Sequence, residues 1–404
     1  MRMLLLRTFL VVVLLSDSAR SRGRKSRVPC ASRDCQCRKV KGKARMTCVW
    51  VNRRLPVFHP RDVTYDRVNI ANANLTRIPK AAFRNVSTTQ LDLSGNLFGA
   101  SGFNRGAFVG LEARLEVLLL PHCRLATVPT SSISRLRRLA TLNLDGNVIS
   151  VIPRNAFKRN RKLRELRLFQ NQLRNIDAKA FRGLARMERL QLAQNRLPAL
   201  WKGNFRGMRN LTTLDLSGNL LTRIVPGTFS GLNRLKWLDL ASNLLTSLTK
   251  RMFKGLKQLQ YVNLDGNPLT HIGDGAFAVI PRLKYLSLDL ANVSRLSPGS
   301  FVRLARVKTL IVGDVNRPAL PARLFRDLRR LKNLSVLNHR SVFKGLTPEL
   351  FPAKFGFGRL SVWTAPLRPC NCDVAWIREF NRRGAYVHGY CDGKRPISCQ
   401  KLTG

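Results

Sequence analysis

The sequence predicts one elongated solenoid rather than a set of globular domains, and three observations predict it. Phenylalanine recurs every 24 residues without a slip, at Phe157, Phe181, Phe205, Phe229, Phe253, Phe277, Phe301 and Phe325. Apolar residues fall at positions 0, 3, 5 and 10 of each unit with Asn at position 8, as in Leu211, Leu214, Leu216, Leu221 and Asn219. Two groups of four cysteines bracket the repeats and leave only Cys123 inside. A fixed period of this length means stacked copies of one small unit, each touching only its neighbours. That overrides the two or three domains that 404 residues would otherwise suggest.

From the first residue, 1–18 read as a cleaved secretory signal. Arg2 and Arg7 stand around an apolar stretch ending in the run Phe9 to Leu15, too short to span a bilayer, and Ser16 and Ser18 suit a small-x-small cleavage site. A basic segment, 19–29, follows. No later apolar run approaches spanning length, so the expectation is a secreted chain of the extracellular space or matrix, without membrane insertion. With 72 Lys and Arg against 22 Asp and Glu, the formal net charge is +50. Such a balance attracts polyanions but does not specify a fold.

Units begin at Tyr65, Thr88, Leu115, Leu139, Leu163, Met187, Leu211, Leu235, Leu259, Leu283, Val307, Leu331 and Phe357. Apolar residues two apart, at positions 3 and 5, suit a short strand with that face turned inward. Asn at position 8 follows the strand, where its amide can satisfy backbone groups as the chain turns. The pattern LxxLxLxxNxL, running over residues 65–367, resembles the leucine-rich repeat family.

The resemblance implies an α/β solenoid: a leucine-rich repeat horseshoe of about 13 repeats of 24 residues, with a parallel concave β-sheet and irregular or short helical turns on the convex side. The Phe series then becomes a continuous spine in the convex half of the core. The Asn slot is kept at Asn96, Asn147, Asn171, Asn195, Asn219, Asn243 and Asn267, and passes to Ala291, Val315, His339 and Ala365 later. Those late units carry either a bend or simple sequence drift.

A solenoid exposes raw core at both ends, and small disulfide-bonded caps can cover it in an oxidising compartment. Spacing alone leaves three connectivities per group of four cysteines. Residues 30–64 and 368–404 resemble the N- and C-terminal cysteine caps of extracellular members of the family. The resemblance implies Cys30 with Cys37, Cys35 with Cys48, Cys370 with Cys391, and Cys372 with Cys399. Cys399 follows Cys391 more closely than in the family's cap, so either the cap is compact or the chain continues beyond Gly404. Cys123 occupies an Asn slot and reads as a buried thiol.

Nothing in the spacing points to a catalytic group, a cofactor or a metal. The five histidines are scattered, and His122 and Cys123, though adjacent, should point apart. The candidate sites are surfaces. Positions 2, 4, 6 and 7 face outward from the sheet, and they carry Phe169, Trp237, Tyr261 and Tyr285 together with Asp215, Asp239 and Asp265. Aromatic anchors with a polar rim suit an extracellular or cell-surface protein partner, while the same row could serve only as cross-strand stacking.

Much of the basic surplus falls on one edge. The residue before position 0 is Arg114, Arg138, Lys162, Arg186, Arg234, Arg282, Arg306 or Arg330, with Asn210 and Gln258 as exceptions. Charges about 5 Å apart lie within the roughly 8 Å Debye length at physiological salt, so neighbouring fields add. Outside a cell the matching polyanion is a sulfated glycosaminoglycan, and the secretory signal argues against nucleic acid. Glycosylation sequons stand at Asn74, Asn85, Asn210, Asn292 and Asn333. Two functional readings remain: a matrix or adhesion protein of the chondroadherin-like group, or the ectodomain of a signalling or immune pattern-recognition receptor.

Overall fold

Each unit contributes one short strand, because inward residues at positions 3 and 5 leave 2 and 4 outside. The computed structural model describes residues 30–48, 54–59, 63–99, 102–290, 292–313, 320–335 and 348–351, and the backbone of the last strands. All thirteen units place a strand in one parallel sheet, from Thr64–Asn69 to Arg359–Thr364. Positions stay in register from unit to unit: Arg189, Thr213, Trp237, Tyr261 and Tyr285 are successive partners. Antiparallel hairpins continue the sheet at both ends, Gln36–Val40 with Lys43–Thr47 and Tyr386–Cys391 with Arg395–Cys399, making 17 strands.

Helix is scarcer than an α/β solenoid suggests. Among the described residues there is one four-residue helix, Thr130–Ile133, and one 3-10 turn, Pro348–Leu350. Two-residue strands such as Asn175–Ile176 and Ser247–Leu248 pair on the far side of the core instead.

The core lies between these layers. Leu166, Leu190, Leu214 and Leu238 at position 3 are fully buried, as are Leu168, Leu192, Leu216 and Leu240 at position 5. The Phe rings stack as the period implied, with centroids 6.2 Å apart at Phe157–Phe181 and 6.3 Å at Phe181–Phe205. The spine is longer than the 24-residue count shows, since Phe58, Phe83 and Phe108 precede it and Phe351 extends it. Ile133, on the short helix, stands where the missing ring would be.

The Asn slot works as a two-way clamp. Asn219 donates to Leu192 O and Leu216 O at 2.9 and 3.0 Å and accepts Leu197 N–H at 3.1 Å. It thereby joins adjacent turns through groups that would otherwise be buried unpaired. Cys123 fills the slot as a fully buried thiol, donating to Leu93 O at 3.2 Å. Its backbone carbonyl accepts Gly99 N–H from the longer preceding unit. In the late units, strands lengthen from three residues, as in Tyr261–Asn263, to five or six, as in Thr309–Gly313 and Asn333–Asn338. The side chains of Ala291, Val315, His339 and Ala365 lie outside the described residues.

Position 7 is left-handed in the first nine units, with φ between 51° and 67°, from Asn72 through His122 and Gln194 to Gly266. A long side chain there covers the next unit. A Cβ on Gly146 would stand 2.2 Å from the His122 ring, and one on Gly218 would stand 2.3 Å from the Gln194 amide. Glycine is therefore required beneath these side chains on both conformational and steric grounds.

The N-terminal cap has the pairing the resemblance implied, Cys30–Cys37 and Cys35–Cys48. Tyr65, buried in the first repeat strand, accepts Ala31 N–H at 3.0 Å and ties cap to solenoid. The pairings Cys370–Cys391 and Cys372–Cys399 lie outside the described residues, as do residues 1–29.

Candidate functional site

The concave sheet divides by how its acids are paired. In the first units they meet arginines: Arg67 bonds Asp92, Arg167 lies 2.7 Å from Asp145, and Arg189 is 2.9 Å from Glu165. Asp92 and Asp145 are nearly inaccessible in these pairs. Further along, Asp215, Asp239 and Asp265 take part in no ion pair among the described residues. Their acceptors are met by neutral donors: Ser217 Oγ on Asp215 at 2.7 Å, Ala241 N–H on Asp239 at 2.9 Å, and Ser287 Oγ on Asp265.

This acidic stretch lies beside three half-buried rings. Trp237 stacks on Tyr261 with centroids 5.0 Å apart, and Tyr261 on Tyr285 at 4.3 Å. The parallel register forces this, because position 2 of each unit sits directly beside position 2 of the next. Cross-strand stacking is thus realised, and the rings remain partly open to solvent. Phe169 is half-buried but three strands before Trp237, so the structure does not join it to the stack.

Electrostatics follow from the crowding. Burial, then the neighbouring Asp215 and Asp265, push the Asp239 carboxyl above its usual range. Asp265 is raised by burial and by Asp289. The phenols of Tyr261 and Tyr285 are raised mainly by burial. The ionised forms of Asp239, Asp265, Tyr261 and Tyr285 are disfavoured, and a cation placed against them would reverse that.

Sequence reasoning missed an apolar flank. Leu220 and Leu244, at position 9 of adjacent units, remain 46% and 44% exposed and belong to the units that begin and centre the acidic stretch. An apolar residue at a slot facing solvent is the signal that could have found them.

All eight basic edge residues are exposed. Arg138 approaches Glu116 at 3.7 Å, an exposed contact of small weight. The two exceptions are engaged by the following rung: Arg234 donates to Asn210 Oδ1 at 2.9 Å, and Arg282 donates to Gln258 Oε1. Of the sequon residues, Asn74, Asn85, Asn292 and Asn333 are exposed, and Asn85 also donates its Nδ2 to Phe58 O at 2.8 Å. Asn333 lies on a concave strand, in register with Thr309 and, beyond it, Tyr285.

His122 lies over Gly146 while the Cys123 thiol points inward, so the two share no reaction site. Burial pushes the Cys123 thiol up to about 11. Among the described residues no three His, Cys, Asp or Glu are grouped to hold a metal, and no helix is long and apolar enough to cross a membrane.

Comparison with known proteins agrees with this geometry. A search of curated proteins found no match. Among solved structures, the chain is similar to one titled as the crystal structure of a TLR13–ssRNA13 complex, with a TM-score of 0.56 and 22% identity. The match covers 82% of this chain and 55% of that one, so this chain spans about half the length of its structural neighbour. The profile described as Leucine rich repeat matches residues 113–173, 161–221, 209–269 and 262–317. Together those segments cover half of the sequence, and the chain belongs to the leucine-rich repeat family.

Proposed function

We propose that the chain is a non-enzymatic binding protein of the extracellular space, acting in matrix or cell adhesion. It holds a protein partner on the concave face over Trp237, Tyr261 and Tyr285, and a sulfated glycosaminoglycan along the basic edge. The carrying observation is the stacked aromatic row beside Asp215, Asp239 and Asp265, acids without an ion pair among the described residues in a chain of net charge +50. Stacking alone needs no acids, and acids kept only for solubility would gain from pairing with the abundant arginines. Aromatic anchors with carboxylates around them suit a partner segment bearing Lys or Arg.

The test is capture on cell surfaces with and without heparinase. The variant Trp237→Ala with Tyr261→Ala should lose the heparinase-resistant fraction. Arg186→Ser, Arg234→Ser and Arg282→Ser combined with Lys158→Ser, Arg206→Ser and Lys254→Ser should lose the heparinase-sensitive fraction. Capture that neither variant alters would overturn the proposal.

A second reading is the ectodomain of a signalling or pattern-recognition receptor. It draws on the fold shared with the TLR13 chain, whose structure was solved with single-stranded RNA. At 22% identity the likeness carries the fold and not the ligand, so RNA enters as the competing polyanion in the tests below.

A further inference from the structure

The exceptions in the basic edge are not random. The units that place Asn210 and Gln258 there carry three other bases on the outer flank, Lys202, Arg206 and Arg209 in one and Lys250, Lys254 and Lys257 in the other. The unit two before them does the same with Arg154, Lys158 and Arg161. The alternating units put Ala178 and Ala185, Pro226 and Asn233, and Asp274 and Pro281 at the outer two of these three places. Across the six units from Leu139 to Arg282 the basic pattern therefore repeats every second unit, a period the phenylalanine ladder does not have, and it ends at the Leu283 unit with Pro298, Val302 and Ala305.

The structure turns this alternation into relief. All nine basic residues are exposed, and none takes part in an ion pair among the described residues. Stems reach across to the next unit: Lys202 Cγ lies 3.7 Å from where a Cβ on Gly227 would stand, and Lys250 Cδ 4.0 Å from that of Gly275, both ordinary contact distances. Beside the last ridge runs a trough of about 700 Å³, with Lys250, Lys254 and Lys257 on one wall, Asp274, Gly275 and Ala278 along its floor, and Arg303 of the Leu283 unit opposite.

We infer that the polyanion seat is this flank, with three basic ridges on alternate units engaging a linear sulfated glycan that runs along the solenoid axis. The inference rests on the glycan reading above and moves its site from the edge column to the ridges. Neighbouring spine rings are 6.1 to 6.3 Å apart, so ridges recur about every 12 Å on this side. That exceeds the roughly 8 Å Debye length, so each ridge acts as a separate station. A chain spanning several stations gains by multivalency, and a short one does not.

Single-stranded nucleic acid favours grooves with aromatic stacking platforms. The residues lining the trough include no aromatic ring, and Trp201, beside Lys202, already has the Arg223 guanidinium over its ring at 4.9 Å. Cationic walls without ring platforms suit sugar rings with anionic substituents.

The test uses the full chain with heparin tetrasaccharide, heparin dodecasaccharide and poly(U) RNA in 0.15 M salt. Two variants each remove three charges: a ridge variant (Lys158→Ser, Arg206→Ser, Lys254→Ser) and an edge variant (Arg186→Ser, Arg234→Ser, Arg282→Ser). Both should melt with the native protein. The dodecasaccharide should bind the ridge variant about tenfold more weakly and the edge variant less than about threefold more weakly, while the tetrasaccharide binds poorly throughout. Equal losses in the two variants, or a larger loss at the edge, overturn the ridge assignment and leave the glycan reading standing. Absence of dodecasaccharide binding to the native chain overturns the glycan reading itself. Tighter binding of poly(U) than of the dodecasaccharide, lost in the ridge variant, overturns the choice of glycan over RNA.

Discussion

Tyr261 and Tyr285 lie ring on ring at 4.3 Å, inclined by 12°, on adjacent concave strands whose backbones the parallel register holds together. Tyr261 contacts Trp237 on its other face and is thus the centre of the row. Replacing Tyr261 with alanine should cost about 1–2 kcal/mol by denaturation and abolish partner capture. Tyr261→Phe should keep the stability, which separates packing from any use of the hydroxyl.

Asp239 sets a pH dependence with an unfamiliar sign. Burial first, then Asp215 and Asp265, raise its folded pKa above the unfolded value, so the folded chain binds the proton more readily. Its contribution is therefore best below an unfolded carboxyl pKa of about 3.9 and is lost as pH rises through the folded value. Asp239→Asn should melt above the native chain at pH 7, with the advantage vanishing at acid pH. Calorimetric melts across that range check this, and a lower melting point at pH 7 would contradict it.

Gly146 and Gly42 share positive φ but not surroundings. At Gly146 a Cβ meets the His122 ring at 2.2 Å, whereas at Gly42 nothing lies within 4 Å. Gly146→Ala should cost about 2–3 kcal/mol and Gly42→Ala about 1, as read from urea midpoints.

Asn219 should be among the most sensitive polar positions. Alanine there leaves the Leu192 and Leu216 carbonyls and the Leu197 N–H buried without their partner. A loss of about 2–4 kcal/mol is expected in denaturant titration.

Cys123 should resist alkylation in the native state at pH 8, since burial holds the thiol at about 11 and its sulfur faces Leu93 O. Labelling by iodoacetamide should follow global unfolding. Mass spectrometry across a urea series reads it directly.

Periodic features were legible because each residue of a solenoid meets its copies at fixed spacing. The Phe spine, the Asn clamp and the thirteen strands came from positions counted along the chain, whereas the N-terminal disulfide pairing came from the resemblance of the cap. Counting also placed Trp237, Tyr261 and Tyr285 side by side. It missed Phe58, Phe83, Phe108 and Phe351, because unit lengths of 23, 26 and 27 shift the frame while the stacked rings stay aligned. It also assigned Phe169 to the aromatic site, since a shared face does not give distance along it.

The sequence by itself determined the solenoid, its sheet, its inward residues and the column to which each charge belongs, since a repeat converts one-dimensional spacing into place. Only the tertiary structure decided which charges are paired. Arg167 reaches Asp145 and Arg189 reaches Glu165, while Asp215, Asp239 and Asp265 make no ion pair among the described residues. Likewise it decided that the Lys202 and Lys250 stems lie against the next unit, beside Gly227 and Gly275. Ion pairing and relief depend on side-chain reach between units, and a period in the sequence carries no information about reach.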